Sequence, residues 1–132
     1  MRQQSRRPAV EAGGPATDER LAIAENALLD HRAVNPVVLD MRELTVITDY
    51  FLICHGTSNV HIRALADAVV EAMKEAGVRV YGIEGHRQAQ WVLLDYGDIV
   101  VHVMAADQRE FYDLERLWSD APRRELTEAG NP

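Results

Sequence analysis

Five histidines, one cysteine and 21 carboxylates offer raw material for metal or acid–base chemistry, and their spacing decides whether it is usable. Cys54 and His55 are neighbours in an apolar run that reads as a strand, so their side chains point to opposite faces and cannot share a metal. His61 falls in the first turn of a helix, a solvated position. His102 lies within an apolar strand, where a hydrogen-bonded structural imidazole is the better reading. No H-E-x-x-H or C-x-x-C spacing occurs, and neither metal nor cofactor is expected. Gly56-Thr57-Ser58 stands between a strand and a helix, the place where nucleotidyltransferases hold a phosphate on helix amides. Those enzymes also need two carboxylates on an adjacent strand to hold magnesium. Here the next acids, Asp67 and Glu71, fall on a helix, and the following strand carries no Asp-x-Asp or Asp-x-Glu. Asp95 and Asp98 flank a turn, and turn aspartates usually serve the turn itself. No catalytic residue is assigned, and no small-molecule substrate is expected.

The elements that position these residues can be read in order. A helix begins near Thr17 or Asp18, either of which can cap free amides, and Leu21, Ala24 and Leu28 share one face. His31 and Arg32 fall in its last turn, and Asn35-Pro36 is expected to stop it. Val37–Leu39 and Tyr50–Cys54 read as strands, the second apolar throughout as a strand buried on both faces would be. Ser58 caps the clearest helix, in which Ile62, Leu65, Ala66, Val69 and Met73 follow helical spacing until Gly77 ends it. Val78–Ile83 reads as a third strand. Gln90–Asp95 and Ile99–Met104 form a hairpin around Asp95-Tyr96-Gly97-Asp98, where Gly97 supplies a positive φ. Residues 108–118 read as a closing helix with Phe111, Leu114, Leu117 and Trp118 as its inward stripe. The expected fold is α/β, one domain with a mixed five-stranded sheet and flanking helices. Both hairpin faces are largely apolar, more than three helices readily cover, which leaves sheet surface for a partner.

Length allows one core and not two. No apolar run approaches a membrane span or follows the N-terminal arginines as a secretory signal would, so the expectation is a cytoplasmic protein with no membrane contact. One cysteine excludes a disulfide within the chain. Residues 1–16 are rich in Arg, Gln, Gly and Pro and read as a disordered tail; residues 121–132 read as a flexible tail; 17–120 form the domain. Charge is uneven: residues 1–17 carry +2, 18–120 carry −9, and the remainder is neutral. A body at −9 repels phosphate backbones, so nucleic acid is not the main source of affinity and basic protein partners are favoured.

Three blocks resemble the Iojap, or ribosomal silencing factor, family. Asp49-Tyr50-Phe51-Leu52-Ile53-Cys54-His55-Gly56-Thr57-Ser58 is similar to its D-x-F-V-I-x-x-G-x-S segment. Glu84-Gly85, followed by Trp91 through Val103, resembles its E-G…W-x-x-x-D-x-G-D-x-x-V-H signature. Arg109 through Trp118 resembles its R-x-x-Y-x-L-E-x-L-W ending. Together they cover roughly residues 18–120. Cys54-His55 replaces a more usual small or polar pair, and the basic extension lies outside the family core. The resemblance implies a nucleotidyltransferase-like fold lacking the catalytic carboxylates, and no enzymatic step. It implies binding to ribosomal protein L fourteen on the large subunit, steric exclusion of the small subunit, repressed translation, and a homodimer when free. By motif, Trp91 is the expected anchor, with Tyr96 second. Asp95 and Asp98, about Gly97, would meet basic side chains, and His102 and Met104 would line the same face. For the basic extension, a minor contact with ribosomal RNA is the alternative to a solvated appendage. The rival functions are a large-subunit assembly factor and a diverged nucleotidyltransferase-like enzyme.

Overall fold

The computed structural model describes residues 15–127, so the tail readings for 1–14 and 128–132 lie outside the described residues. Helix α1 spans Thr17–Asp30 and helix α2 Asn59–Glu75. Strands β1 (Val34–Asp40), β2 (Tyr50–Gly56), β3 (Gly82–Glu84), β4 (Trp91–Asp95), β5 (Ile99–Ala105) and β6 (Arg123–Glu125) form one mixed sheet in the order β3-β4-β5-β2-β1-β6. Only β2 and β5 run parallel. The expected α/β class and single domain hold. Among the described residues, the sheet has six strands rather than five.

Four local departures have physical reasons. Helix α1 ends before Asn35-Pro36: Arg32 takes φ 65°, its N–H donates to the Leu29 carbonyl, and the Ala33 N–H donates to Leu28. This is a Schellman closure with arginine where glycine is usual, so the sequence carries no glycine to mark it. Asn35 (φ 48°) and Pro36 instead form an irregularity inside β1, between Val34 and Val37 in the register with β2. The third strand is shorter than Val78–Ile83 because the Val78 N–H turns back to the Met73 carbonyl and closes α2. The last helix breaks at Asp113 (φ 47°) into α3 (Ala106–Tyr112) and α4 (Leu114–Leu117), a conformation aspartate tolerates. Finally, Arg123–Glu125 is not tail but the sixth strand, paired with Val37–Leu39.

Strand alternation divides the core in two. One sheet face, carrying Leu52, Cys54, Val92, Leu94, Val101 and Val103, is covered by α1 and α2 through Leu21, Leu28, Ile62, Leu65 and Val69. The opposite face holds Val37, Leu39, Met41, Ile53 and Met104, with Phe51, Trp91, Leu114 and Trp118 partly buried against them. Among the described residues, its helical cover is the short α3 and α4. Among the described residues, no helix is long and apolar enough to cross a membrane.

Candidate protein-docking face

The thinly covered face is organised by rings. Trp91 stands on β4 opposite Met104 of β5, and Leu93 stands opposite His102, which itself pairs with Ile53 of β2. Across these strands runs a continuous file of aromatic contacts. Phe111 meets Tyr112 at 4.9 Å between centroids, Tyr112 meets Trp91 at 5.0 Å, and Trp91 meets His102 at 5.9 Å. His102 meets Phe51 at 4.6 Å, and Phe51 meets Trp118 at 6.2 Å. The file is buried at His102 and open at its end: Phe111 is 78% exposed and Tyr112 49%, with Leu117 close by at 69%. Large apolar side chains left open beside one another mark an interaction surface. Glu110 and Asp113 flank the open rings, and Glu84, paired with Leu93, edges the sheet.

Beneath the open rings, His102 is a structural support. The Trp91 indole N–H donates to its Nδ1 at 3.1 Å, and burial drives the imidazole down to about 4, so the ring is neutral with its proton on Nε2. Arg109 supports the α3–α4 break. Its guanidinium donates to both Glu115 carboxylate oxygens (3.1 and 2.9 Å), to the Val34 carbonyl (3.1 Å) and to His55 Nδ1 (3.0 Å). Burial alone would raise the Glu115 carboxyl, but the bonds and charge of Arg109, with the charge of Arg123, outweigh it and hold Glu115 below its ordinary value. His55 is pushed down by burial and then by the Arg109 charge. One arginine thereby joins α3, α4, β1 and β2.

The hairpin turn faces inward. Asp98 is buried against α1, where Arg20 pairs with its carboxylate and the Thr17 hydroxyl donates to the same oxygen at 2.7 Å. The Asp98 carbonyl also accepts from the Asp49 and Tyr50 N–H groups. Thr17 therefore serves Asp98 and not the helix end; at that end the Glu19 carboxylate accepts from the Ala16 N–H. The Tyr96 ring is fully buried, and burial raises its phenol well above the usual range. Gly97 takes φ 85°, as its place in the turn requires, and its N–H donates to Asp95 Oδ1 at 2.8 Å.

These placements bear on the expected contact set. Tyr96, Gly97, Asp98, His102 and Met104 are buried, because the turn packs under α1 while His102 and Met104 fill the layer below Trp91. Buried side chains offer a partner little surface. Trp91 and Asp95 remain partly exposed. Phe111, Tyr112 and Leu117 are exposed near Trp91, whereas one continuous helix over residues 108–118 would turn Phe111 and Leu117 inward.

Cys54, His61 and the Gly56–Ser58 turn hold structural roles. Cys54 is buried, which raises its thiol to about 12 and leaves it unreactive. His61 is not simply solvated: its Nδ1 accepts from the Thr57 N–H at 2.9 Å, and its Nε2 donates to the His31 carbonyl at 2.9 Å. Ser58 caps α2, accepting from the His61 N–H at 3.0 Å. A Cβ on Gly56 would lie 2.9 Å from Ile62 Cγ1, so that glycine is explained by packing. Among the described residues, no group of three or more His, Cys, Asp or Glu could hold a metal.

Comparison with known proteins points to one family. The family described as "Ribosomal silencing factor during starvation" matches residues 15–132. The ribosomal silencing factor of Halalkalibacterium halodurans is 44% identical over 111 residues, covering 84% of this chain and 95% of its own. That of Bacillus subtilis is 45% identical over 106 residues, covering 80% and 90%. A crystal structure of a Chromobacterium violaceum protein superposes with a TM-score of 0.78 at 37% identity, covering 89% of this chain and 98% of that one. The chain belongs to the ribosomal silencing factor family.

Proposed function

We propose that the face built on Trp91, Tyr112 and Phe111 docks on ribosomal protein L fourteen of the large subunit and so keeps the small subunit from joining. The observation that carries this is the aromatic file, buried at His102 and open at Phe111. An aromatic anchor on a rigid sheet loses little freedom on binding, and such residues dominate interface energies. The surrounding acids and the −9 charge of residues 18–120 suit a basic ribosomal protein, guiding encounter and orientation more than strength. Inhibition is steric and represses translation without a chemical step. The fold serves as a nucleotidyltransferase-like scaffold whose Gly56–Ser58 turn caps a helix. The protein works in the cytoplasm and is a homodimer when free.

A sucrose gradient of purified subunits with added protein tests the proposal. It expects cosedimentation with the large subunit and a reduced yield of joined ribosomes. Full joining at saturating occupancy overturns silencing, and binding only to precursor subunits would assign an assembly role instead.

A further inference from the structure

The acidic body has one end built from three stretches without acids of their own. Residues 31–39, 50–66 and 85–94 contain no Asp or Glu, and between them carry Arg32, Arg63 and Arg87 and four of the five histidines. The fold brings these stretches together around the start of α2. His61 donates to the His31 carbonyl at 2.9 Å, and a Cβ on Gly56, next to His55, would lie 3.2 Å from His61 Nδ1. Arg63 reaches the other way, donating to the carbonyls of His86 (3.2 Å) and Arg87 (2.7 Å).

Ion pairs engage only part of the cation set. Arg20, Arg42, Arg109, Arg123 and Arg124 each pair with a carboxylate. Among the described residues, no carboxylate pairs with Arg32, Arg63 or Arg87, and none pairs with Lys74, Arg79 or Arg116 elsewhere on the surface; what sets the first three apart is that the fold gathers them at one end. Arg63 spends its donors on neutral carbonyls and keeps its charge, while Arg32 and Arg87 are exposed. Asp30 and Glu84 border these stretches in the chain, Asp67 meets His86 at 2.8 Å, and Asp107 lies across the cleft from Thr57 and Ser58. This end also borders the docking face: the 85–90 loop leads directly into Trp91, and Gly85 packs against the Trp91 carbonyl.

We propose that this basic end, presented by Arg32 and Arg87 with Arg63 behind them, contacts phosphates of ribosomal RNA beside the protein on which Trp91 docks. The proposal rests on the docking reading and adds a second, nucleic-acid contact to it. Folded RNA offers phosphates at fixed positions, and a few guanidinium groups outside internal ion pairs can meet them even from a chain of negative net charge.

Salt dependence tests it. Affinity for purified large subunits is measured over a KCl series for the wild-type chain, for Arg32→Gln/Arg87→Gln, and for Lys74→Gln/Arg79→Gln. The last pair changes net charge equally at the far end of α2. Binding to isolated ribosomal protein L fourteen is measured alongside. Each lost phosphate contact should lower the slope of log affinity against log salt by about 0.7–0.9. The Arg32/Arg87 variant is therefore expected to lose about 1–2 in slope and to bind subunits several-fold more weakly at low salt, while binding isolated L fourteen as before. The Lys74/Arg79 variant is expected to keep the wild-type slope. An unchanged slope, an equal change in both variants, or an equal loss toward isolated L fourteen would each overturn the RNA contact. Failure of the docking reading shows separately, as Trp91→Ala binding subunits at full strength.

Discussion

Trp91 and His102, eleven residues apart on neighbouring strands, are joined through the indole N–H and the imidazole Nδ1 at 3.1 Å. The bond fixes the indole plane from below while its edge stays open beside Tyr112. Position and exposure are thus settled by two different neighbours.

Trp91→Ala should weaken large-subunit binding by about 2 kcal/mol or more, roughly 30-fold. The circular dichroism spectrum should be unchanged, since the ring is only partly buried. Loss of the folded spectrum would make Trp91 a core residue. Trp91→Phe separates the two roles: it keeps a ring but removes the donor to His102, costing about 1–3 kcal/mol of stability in urea unfolding.

His102 makes stability depend on pH. Its folded value of about 4 lies below the ordinary 6.5, so between those values the unfolded chain takes up a proton that the folded chain refuses. The stabilisation is complete above pH 6.5 and is lost as pH falls toward 4, by an amount of order 3 kcal/mol. His55, lowered by burial and then by Arg109, acts in the same direction. Urea midpoints at pH 7 and pH 5 should converge in His102→Gln, leaving the part due to His55. An unaltered pH dependence would remove His102 as its source.

Asp98 holds the hairpin turn to α1 through a buried ion pair. Arg20→Ala or Asp98→Ala should each cost about 3–5 kcal/mol by stranding a buried charge. The double variant should cost less than the sum of the two. Additive costs in thermal unfolding would show that the pair is not coupled.

Arg109→Lys cannot reproduce the fork to Glu115 together with the bonds to Val34 and His55. It should cost about 2–3 kcal/mol, with amide exchange accelerating in Leu114–Leu117 and Arg123–Glu125 before it does in β2 or β5. Uniform acceleration would contradict a local clasp.

Gly85→Ala should disturb the docking face from behind. Gly85 has φ 80°, and a Cβ there would run into the Trp91 carbonyl oxygen. The conformation alone costs about 1–3 kcal/mol, and the collision must displace either the loop or Trp91. Subunit binding should fall together with stability. Wild-type binding and stability would show that the loop yields without moving Trp91.

Much of this protein is legible where one local rule dominates. The periodicity from Ile62 to Met73 marks α2 because a helix half sunk in a core needs a single apolar stripe. Asp95 through Asp98 mark the hairpin because only glycine turns there without strain. Where a local rule was silent, the reading erred. Arg32 closes α1 in a glycine's conformation, Asp113 breaks a helix that its neighbours would continue, and the charged run Arg123–Glu125 pairs as an edge strand, where charge is common.

The docking face divides along the same line. From sequence alone, Trp91 stands out, and the two apolar hairpin faces imply a sheet with more apolar surface than its helices cover. Which rings stay open is a tertiary matter. It depends on α1 burying Asp98, on the helix-covered core closing over Tyr96, on Met104 and His102 lying beneath Trp91, and on the chain breaking at Asp113 with Phe111 and Leu117 left outside. A strand pattern states that a side chain leaves the sheet on one side. Only the packing of distant segments determines whether another residue or a partner is waiting there.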